Sequence, residues 1–561
     1  GYTQEMLRDV NIHTKPIPMS VALDNKYDMN GQLDRRKVRM CVAGHKYNMQ
    51  KGVHYDDVFA AAPNQNTGRM LSAMAVDMGL QRKAWDISLA YCWADLPPGQ
   101  LIALKYPKEY AKVDPKTGEP LFMVLRKNCY GHPAAAKHWS EHRDNFLMKR
   151  FNEGNWTCTK CTYDPCLFYI QRDVNKDMTE SYDIMRGKDG KLDRNLRPAK
   201  EEAWVMIHTD DCDAVGTTSK ILNDIYSITN DRWKAKVVDA DYVLGIKRTR
   251  KTIDGVDTIK HTMSAYVEGM YKGFEDNKSM KSKPVSTPFP VGLALYKTDC
   301  KSDEEAKQML EDGFRTAVGQ IMWATRGVYP ECMYGANQLC RVMSHPSEEA
   351  YAAAMHMINW MYTNKDRGIS FTSTGNNAPV IFSDASNKPD PNDGLCQYGY
   401  CIMIKGAPIA TCSKKLAHVG LSAFHNEYMA LRYAAATAIW VKQLSQEIKW
   451  DSHIKGPMTM YGDNKAANML TARDFISSGN QHIFVPYHFI KELVKNNDIR
   501  VEYVGTKTNL ADIFTKAVTV QTTREMISWV TGHDTTWHKE IARAAMSKVE
   551  NNLDEPGYVS R

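Results

Sequence analysis

Residues 204–216 read WVMIHTDDCDAVG, an apolar run set directly against two adjacent aspartates, Asp210 and Asp211. The run 204–209 has the character of a buried strand, and the pair ends it ahead of the turn DCDAVG. Like charges side by side repel, and a carboxylate leaves water only at a large cost unless something compensates. Two accounts of the pair stand on these residues alone. It is a polar turn whose aspartates cap a following helix, which the spacing by itself favours, or it is part of a ligand set for a hard divalent cation.

The rest of the chain has room for such a site. Its 561 residues suffice for several domains, and 43% hydrophobic with 24% charged residues is globular rather than disordered composition. Lys and Arg (72) exceed Asp and Glu (65) by +7, which permits a polyanionic partner without demanding one. The 13 cysteines are an odd number, and GYTQEMLRDV holds no apolar leader, so reduced thiols in a cytosolic or nuclear setting are expected. No run reaches the ~18 apolar residues of a membrane span. Cys158 and Cys161, with Cys166 nearby, have zinc-knuckle spacing but no second ligand pair, so ordinary thiols are expected there. NWT at 155–157 matches a glycosylation acceptor by chance. HRDN at 142–145 lacks the glycine-rich loop and DFG of a kinase and sits in a helix-like stretch.

Along the chain, RRKVRMCVAGHKY (35–47) is a basic strand-like segment. TGRMLSAMAVDMGL (67–80) is helix-like, with Met70, Met74 and Met78 on one face. Residues 171–202 are dense in charge and predict an exposed insertion between two strands. Helical patterns fill 303–363. From 379 the pattern becomes strand, strand, helix, strand, helix, with GYCIMIKGAPIATCSKK read as one strand. Asp86, in the strand-like AWDIS (84–88), is a third acid that could meet Asp210 and Asp211 at the ends of neighbouring strands. A two-metal site needs such a set.

The order of motifs resembles the reverse transcriptase and ribonuclease H region of copia-type LTR retrotransposons. The residues that carry it are KVRMCVAG (37–44), HYDDVFAAA (54–62), AWDISLAYCWADL (84–96), CYGHPAAAKHW (129–139), YDPCLFY (163–169), HTDDCDAVG (208–216), YVLGI (242–246) and KPVSTP (283–288). FRTAVGQIMW (314–323), FSDAS (382–386), CSKK (412–415), AFHNEYMAL (423–431), GDNKAA (462–467), QHIFVPYHFIKE (481–492) and NLADIFTK (509–516) follow in the family's order.

That resemblance implies an α+β multidomain chain: a right-hand polymerase of fingers, palm and thumb or connection, followed by an α/β ribonuclease H-like domain. The implied boundaries are 1–284 for fingers and palm, 285–376 for a helical thumb or connection, 377–520 for the ribonuclease H-like domain and 521–561 for a tail. It implies that Asp86, Asp210 and Asp211 are the palm carboxylates and that Tyr91 sits under the incoming sugar. Arg39, and more weakly Lys37, would meet the incoming triphosphate, against a solvated strand face as the plain alternative. Asp384, Glu427, Asp463 and Asp512 match the ribonuclease H carboxylates. Asp384 and Asp463 end apolar strands, Glu427 lies on an amphipathic helix and Asp512 opens IFTK; His482 or His488 would assist.

The implied cofactor is Mg²⁺, two per centre, with Mn²⁺ as a substitute. The implied partners are an RNA template, a DNA primer, RNA–DNA hybrid, deoxynucleoside triphosphates and other Pol or Gag products, with no membrane. The implied location is a cytoplasmic virus-like particle, the nucleus, or both. The chain lacks a protease DTG or DSG and an integrase zinc signature, as expected of a fragment, a processed product or a diverged relative. It departs from the family where Tyr-Val becomes His208-Thr209, where Lys, Gln and Pro become Pro133, Ala134 and Ala136, and where KHID becomes HIF at 482–484. The alternative to a polymerase with nuclease is a catalytically weak nucleic-acid-binding or structural scaffold on the same fold.

Overall fold

The computed structural model describes residues 1–27, 33–45, 48–173, 185–186, 192–193, 200–281, 283–454, 456–473 and 483–537. Most of the expected insertion at 171–202, the tail beyond 537 and His482 lie outside the described residues. The chain divides into two compact units: Gly1–Pro63, Arg82–Asp183 and Arg197–Asp239 form the first, and Asn64–Gln81, Ile184–Leu196 and Ala240–Arg561 the second.

The first unit is built on a six-stranded sheet in the order Ala235–Val238, Gln81–Ile87, Asp211–Gly216, Lys200–His208, Leu167–Asp173, Trp156–Lys160. Side chains alternate between its faces. Trp85, Ile87, Val205, Ile207, Cys212 and Ala214 share one core with helices Ala135–Arg150 and Ser219–Trp233, which contribute Trp139, Leu147, Ile221, Ile225 and Trp233. Asp86, His208 and Asp211 therefore fall on the other face.

The segment expected as a turn is extended. DCDAVG is a strand, Asp211–Gly216, paired antiparallel with Lys200–His208 so that His208 faces Asp211. Thr209, at φ 58°, reverses the chain within two residues, and Cys212, Ala214 and Val215 are buried, so the segment has both the turn and the apolar content of a hairpin arm. The capping account also fails, because Thr218 caps helix Ser219–Trp233 by accepting from the Ile221 N–H.

The basic segment forms the hairpin Met19–Tyr27 with Leu33–Val42, in which Asp24 lies opposite Lys37 and Ala22 opposite Arg39. Its end docks through the Val42 N–H, which donates to the Tyr130 carbonyl at 2.7 Å. Two glycines permit this approach: a Cβ on Gly131, at φ +85°, would stand 2.1 Å from the Val42 oxygen, and one on Gly44 2.0 Å from the Gly131 oxygen. HRDN is structural: Arg143, buried in helix Ala135–Arg150, pairs with Asp144 at 2.6 Å, and Asp144 with Lys160 at 2.6 Å.

The second unit contains helices Asp303–Glu311, Phe314–Val328, Met333–Arg341 and Glu348–Thr363, which fill the stretch read as helical and share one large core. It also contains an antiparallel sheet of Tyr242–Val243, Ile246–Ile253, Val256–Thr262 and Ile369–Thr372. A five-stranded sheet runs Ala407–Lys415, Gln397–Ile404, Val380–Ala385, Met458–Gly462, Ile499–Tyr503, antiparallel across the first three strands and parallel thereafter. The segment read as one strand is two, because Lys405 and Gly406 both take positive φ and close a tight hairpin. Helix Ala423–Glu447 packs on this sheet.

Helix Gln65–Met78 belongs to this second unit and is buried from Arg69 to Val76. Arg69 donates to the Gly327 and Ile409 carbonyls at 3.1 and 3.4 Å, and Asp77 pairs with Lys405 at 2.6 Å. No helix among the described residues is long and apolar enough to cross a membrane.

Candidate active centres

In the first unit, Asp86, Asp210 and Asp211 each offer a carboxylate oxygen within 4.8 Å of the others. Asp86 comes from strand Gln81–Ile87, and the Ile87 N–H donates to the Asp210 carbonyl at 2.9 Å, tying that strand to the turn. Burial, and then the charges of Asp210 and Asp86, push Asp211 up to about 6; His208 pulls the other way. Burial and Asp210 raise Asp86, while Lys37, Arg35 and Lys236 draw it back. The cluster is thus half-buried, crowded with negative charge that the nearby lysines and arginine only partly offset, and built wholly of hard oxygen donors, which suits a divalent cation.

The sequence-expected neighbours lie around it. Lys37 reaches Asp86 electrostatically, and Arg39 is held by Asp24 at 3.4 Å. Tyr91 packs edge-on against Tyr130, with ring centroids 5.3 Å apart. Sequence reading missed Tyr130, whose hydroxyl is pushed up to about 12 by burial and by Asp210, with Arg39 opposing. Its signal was available in CYG (129–131), where the glycine must turn and leaves the tyrosine facing the acids. Lys236 was missed because its strand sits far along the chain, although it pairs directly across from Asp86.

In the second unit, Asp384, Asp463 and Asp512 form an equivalent group within 4.8 Å. Asp384 lies near the end of Val380–Ala385 and Asp463 just past Met458–Gly462. These strands are parallel inner neighbours, so both acids emerge at the same end of the sheet. Asp512 comes from the short turn Leu510–Phe514, which Asn509 anchors by donating to the Ser383 carbonyl at 3.0 Å. Glu427 stands outside this close group but feels all three acids. Burial first, then Asp384 and Asp463, push it up to about 9. Burial and Asp384 push Asp512 up to about 7, although Lys516 lies 2.8 Å from it. Asp384 is also raised, chiefly by burial, and accepts a hydrogen bond from the Thr515 hydroxyl. The Asp512 Oδ1 is buried without a hydrogen-bond partner, a vacancy that a cation fits.

Other candidates resolve differently. His488 packs against the Phe484 and Tyr487 rings, with centroids 4.3 and 5.0 Å away. Cys158, Cys161 and Cys166 are buried and form no disulfide. Burial pushes Cys158 up to about 12 and Cys166 to about 11, far from the thiolates that bind zinc. Among the described residues the two carboxylate groups are the only ones that could hold a metal.

No family model matches the chain. The retrovirus-related Pol polyprotein from transposon TNT 1-94 of Nicotiana tabacum is 24% identical over 509 residues, covering 90% of this chain and 35% of that protein. The retrovirus-related Pol polyprotein from transposon RE1 of Arabidopsis thaliana is 25% identical over 499 residues, covering 88% and 30%. The chain thus spans about a third of the length of the curated relatives it matches. Among solved structures, the foamy viral protease-reverse transcriptase in complex with dsDNA covers 88% of this chain and 78% of its own at 11% identity. Its TM-score of 0.41 is too low to define the fold.

Fold and sites define a mixed α/β protein with two separate carboxylate centres, one in each unit. The chain is a homologue of the Pol polyproteins of copia-type retrotransposons.

Proposed function

We propose that the chain is an RNA-directed DNA polymerase with a ribonuclease H, its first unit and the following helices serving as fingers, palm and thumb. The observation that carries this reading is the pair of acidic groups, Asp86–Asp210–Asp211 and Asp384–Asp463–Asp512 with Glu427 beside it, in a homologue of Pol polyproteins. Each set would hold Mg²⁺ ions, two per centre, which when bound lower the pKa of the attacking oxygen and neutralise the phosphate being transferred. In the first centre the nucleophile is a primer 3′-hydroxyl; in the second it is water directed at the RNA strand of a hybrid. Arg39 and Lys37, on one face of the basic hairpin, meet the triphosphate of a deoxynucleotide, and Tyr91, braced by Tyr130, walls the sugar. Glu427 keeps a proton until a cation offsets the neighbouring charges.

Helix Phe314–Val328 supports a nucleic-acid duplex as the partner. Arg315, Gly319, Trp323 and Arg326 are exposed along one of its faces. A Cβ on Gly319 would meet open space, so the exposed face leaves room there for a backbone to approach from outside. No observation favours the scaffold alternative. Mg²⁺-dependent primer extension on an RNA template is expected from the unaltered chain and not from Asp210→Asn. Equal signals from both would sink the polymerase reading, and hybrid cleavage compared with Asp463→Asn judges the nuclease separately.

A further inference from the structure

The turn that carries the aspartate pair is strained. Thr209 and Asp210 are the two loop residues between the paired His208 and Asp211, and of these Thr209 alone has positive φ, 58°. A positive φ at the first loop position only is the pattern of the hairpin turn that takes glycine there. A β-branched residue in that conformation is an outlier that persists only when its surroundings hold it.

Two groups hold it. The Trp139 indole N–H donates to the Thr209 carbonyl at 2.6 Å, and the Ile87 N–H donates to the next carbonyl, that of Asp210, at 2.9 Å. Successive carbonyls of the turn are thus gripped from opposite sources, one by a side chain and one by the strand that bears Asp86. Trp139 has little freedom to aim elsewhere. It is 1% exposed, meets Trp233 edge-on at 5.2 Å and stacks on His142 at 6.1 Å. A buried indole N–H needs an acceptor, and the turn supplies it.

We infer that Trp139 is a positioning residue for the polymerase centre: its hydrogen bond latches the left-handed Thr209 and so keeps Asp210 and Asp211 in register with Asp86. This rests on the polymerase reading above, but the latch also has a readout that needs no activity.

The test uses the full chain in four forms: unaltered, Trp139→Phe, Thr209→Gly, and both changes together. Phenylalanine keeps most of the ring packing and removes the donor; glycine removes the strain that makes the donor necessary. Trp139→Phe is expected to speed amide hydrogen exchange across His208–Asp211 and to weaken Mn²⁺ binding at the first centre, measured with Asp463→Asn in the background. Its primer-extension kcat should fall on the order of 10- to 100-fold, as for a small misplacement of reacting groups, with KM for the nucleotide within about twofold. Hybrid cleavage, measured without the background change, should stay unaltered.

Adding Thr209→Gly should return exchange, Mn²⁺ affinity and kcat most of the way. The latch is overturned if Trp139→Phe leaves all three unchanged. It is also overturned if they change and glycine restores none, because Trp139 would then act through packing alone. If the unaltered chain extends no primer, the polymerase reading falls, while exchange and Mn²⁺ binding still decide the latch.

Discussion

Replacing Asp77 by asparagine tests how helix Gln65–Met78 is held in the second unit. Lys405 is 3% exposed, and its ammonium lies 2.6 Å from Asp77. Asp77 also accepts from the Trp450 indole at 3.0 Å and neighbours His453 at 3.1 Å. Burial would raise the Asp77 carboxyl, but His453, Lys405 and Trp450 outweigh it and bring it from 3.8 to about 2. That depression corresponds to about 2 kcal/mol of stability. Because the folded value lies below the unfolded one, this contribution is complete above pH ~4 and is lost as pH falls toward 2.

Asparagine keeps the shape and the bond from Trp450 but leaves Lys405 as a buried charge without its counter-ion, and removing one partner of a buried pair costs about 3–5 kcal/mol. A loss of about 2 to 4 kcal/mol is therefore expected in urea unfolding of the full chain, followed by tryptophan fluorescence, with Trp450 as an internal reporter. Lys405→Met on the Asp77→Asn background should recover most of it, because it removes the stranded charge. A loss under about 1 kcal/mol, or strict additivity of the two changes, would refute the buried-pair account.

Glu331 is 3% exposed, and burial pushes it up to about 7 against the pull of Arg367 and Trp360. Folding should therefore weaken by about 3 kcal/mol as pH rises from 4.5 to 7, and Glu331→Gln should flatten that slope in urea titrations at several pH values. Asp384→Asn should abolish hybrid cleavage yet raise unfolding stability in chelator by about 1 kcal/mol, since it relieves the repulsion felt by Glu427 and Asp512. Lower stability there would contradict the crowded-carboxylate picture. Trp323→Ala should weaken hybrid binding on the order of tenfold while leaving cleavage at saturating hybrid intact; an unchanged Kd would remove helix Phe314–Val328 from the interface.

Much of the candidate chemistry is readable in the chain because the order of motifs, more than spacing alone, marks the acids. Asp86, Asp210, Asp211, Asp384 and Asp463 lie in or at the ends of apolar strand-like runs and Asp512 opens IFTK, and the two centres gather all six. Helices at 303–363 were readable from their period, since one face of each is buried. The DCDAVG strand and the hairpin at Lys405 were not. Both depend on a positive φ at a residue that gives no local warning of one, Thr209 and Lys405, although Gly406 beside Lys405 was a turn signal inside the apolar run.

The kind and order of the parts are written in the chain, because hydrophobic period and carboxylate placement are local properties. Which parts keep company is settled by packing. Helix Gln65–Met78, which stands in the chain beside the strand of Asp86, is built into the second unit by Arg69 and Asp77. Glu427, from a helix rather than a strand end, lies beside the close group of three acids and feels the charge of each. Trp139, remote in sequence, grips the turn that presents Asp210 and Asp211. Such pairings join residues tens to hundreds of positions apart, and no local pattern encodes which distant carbonyl or charge a buried donor will meet.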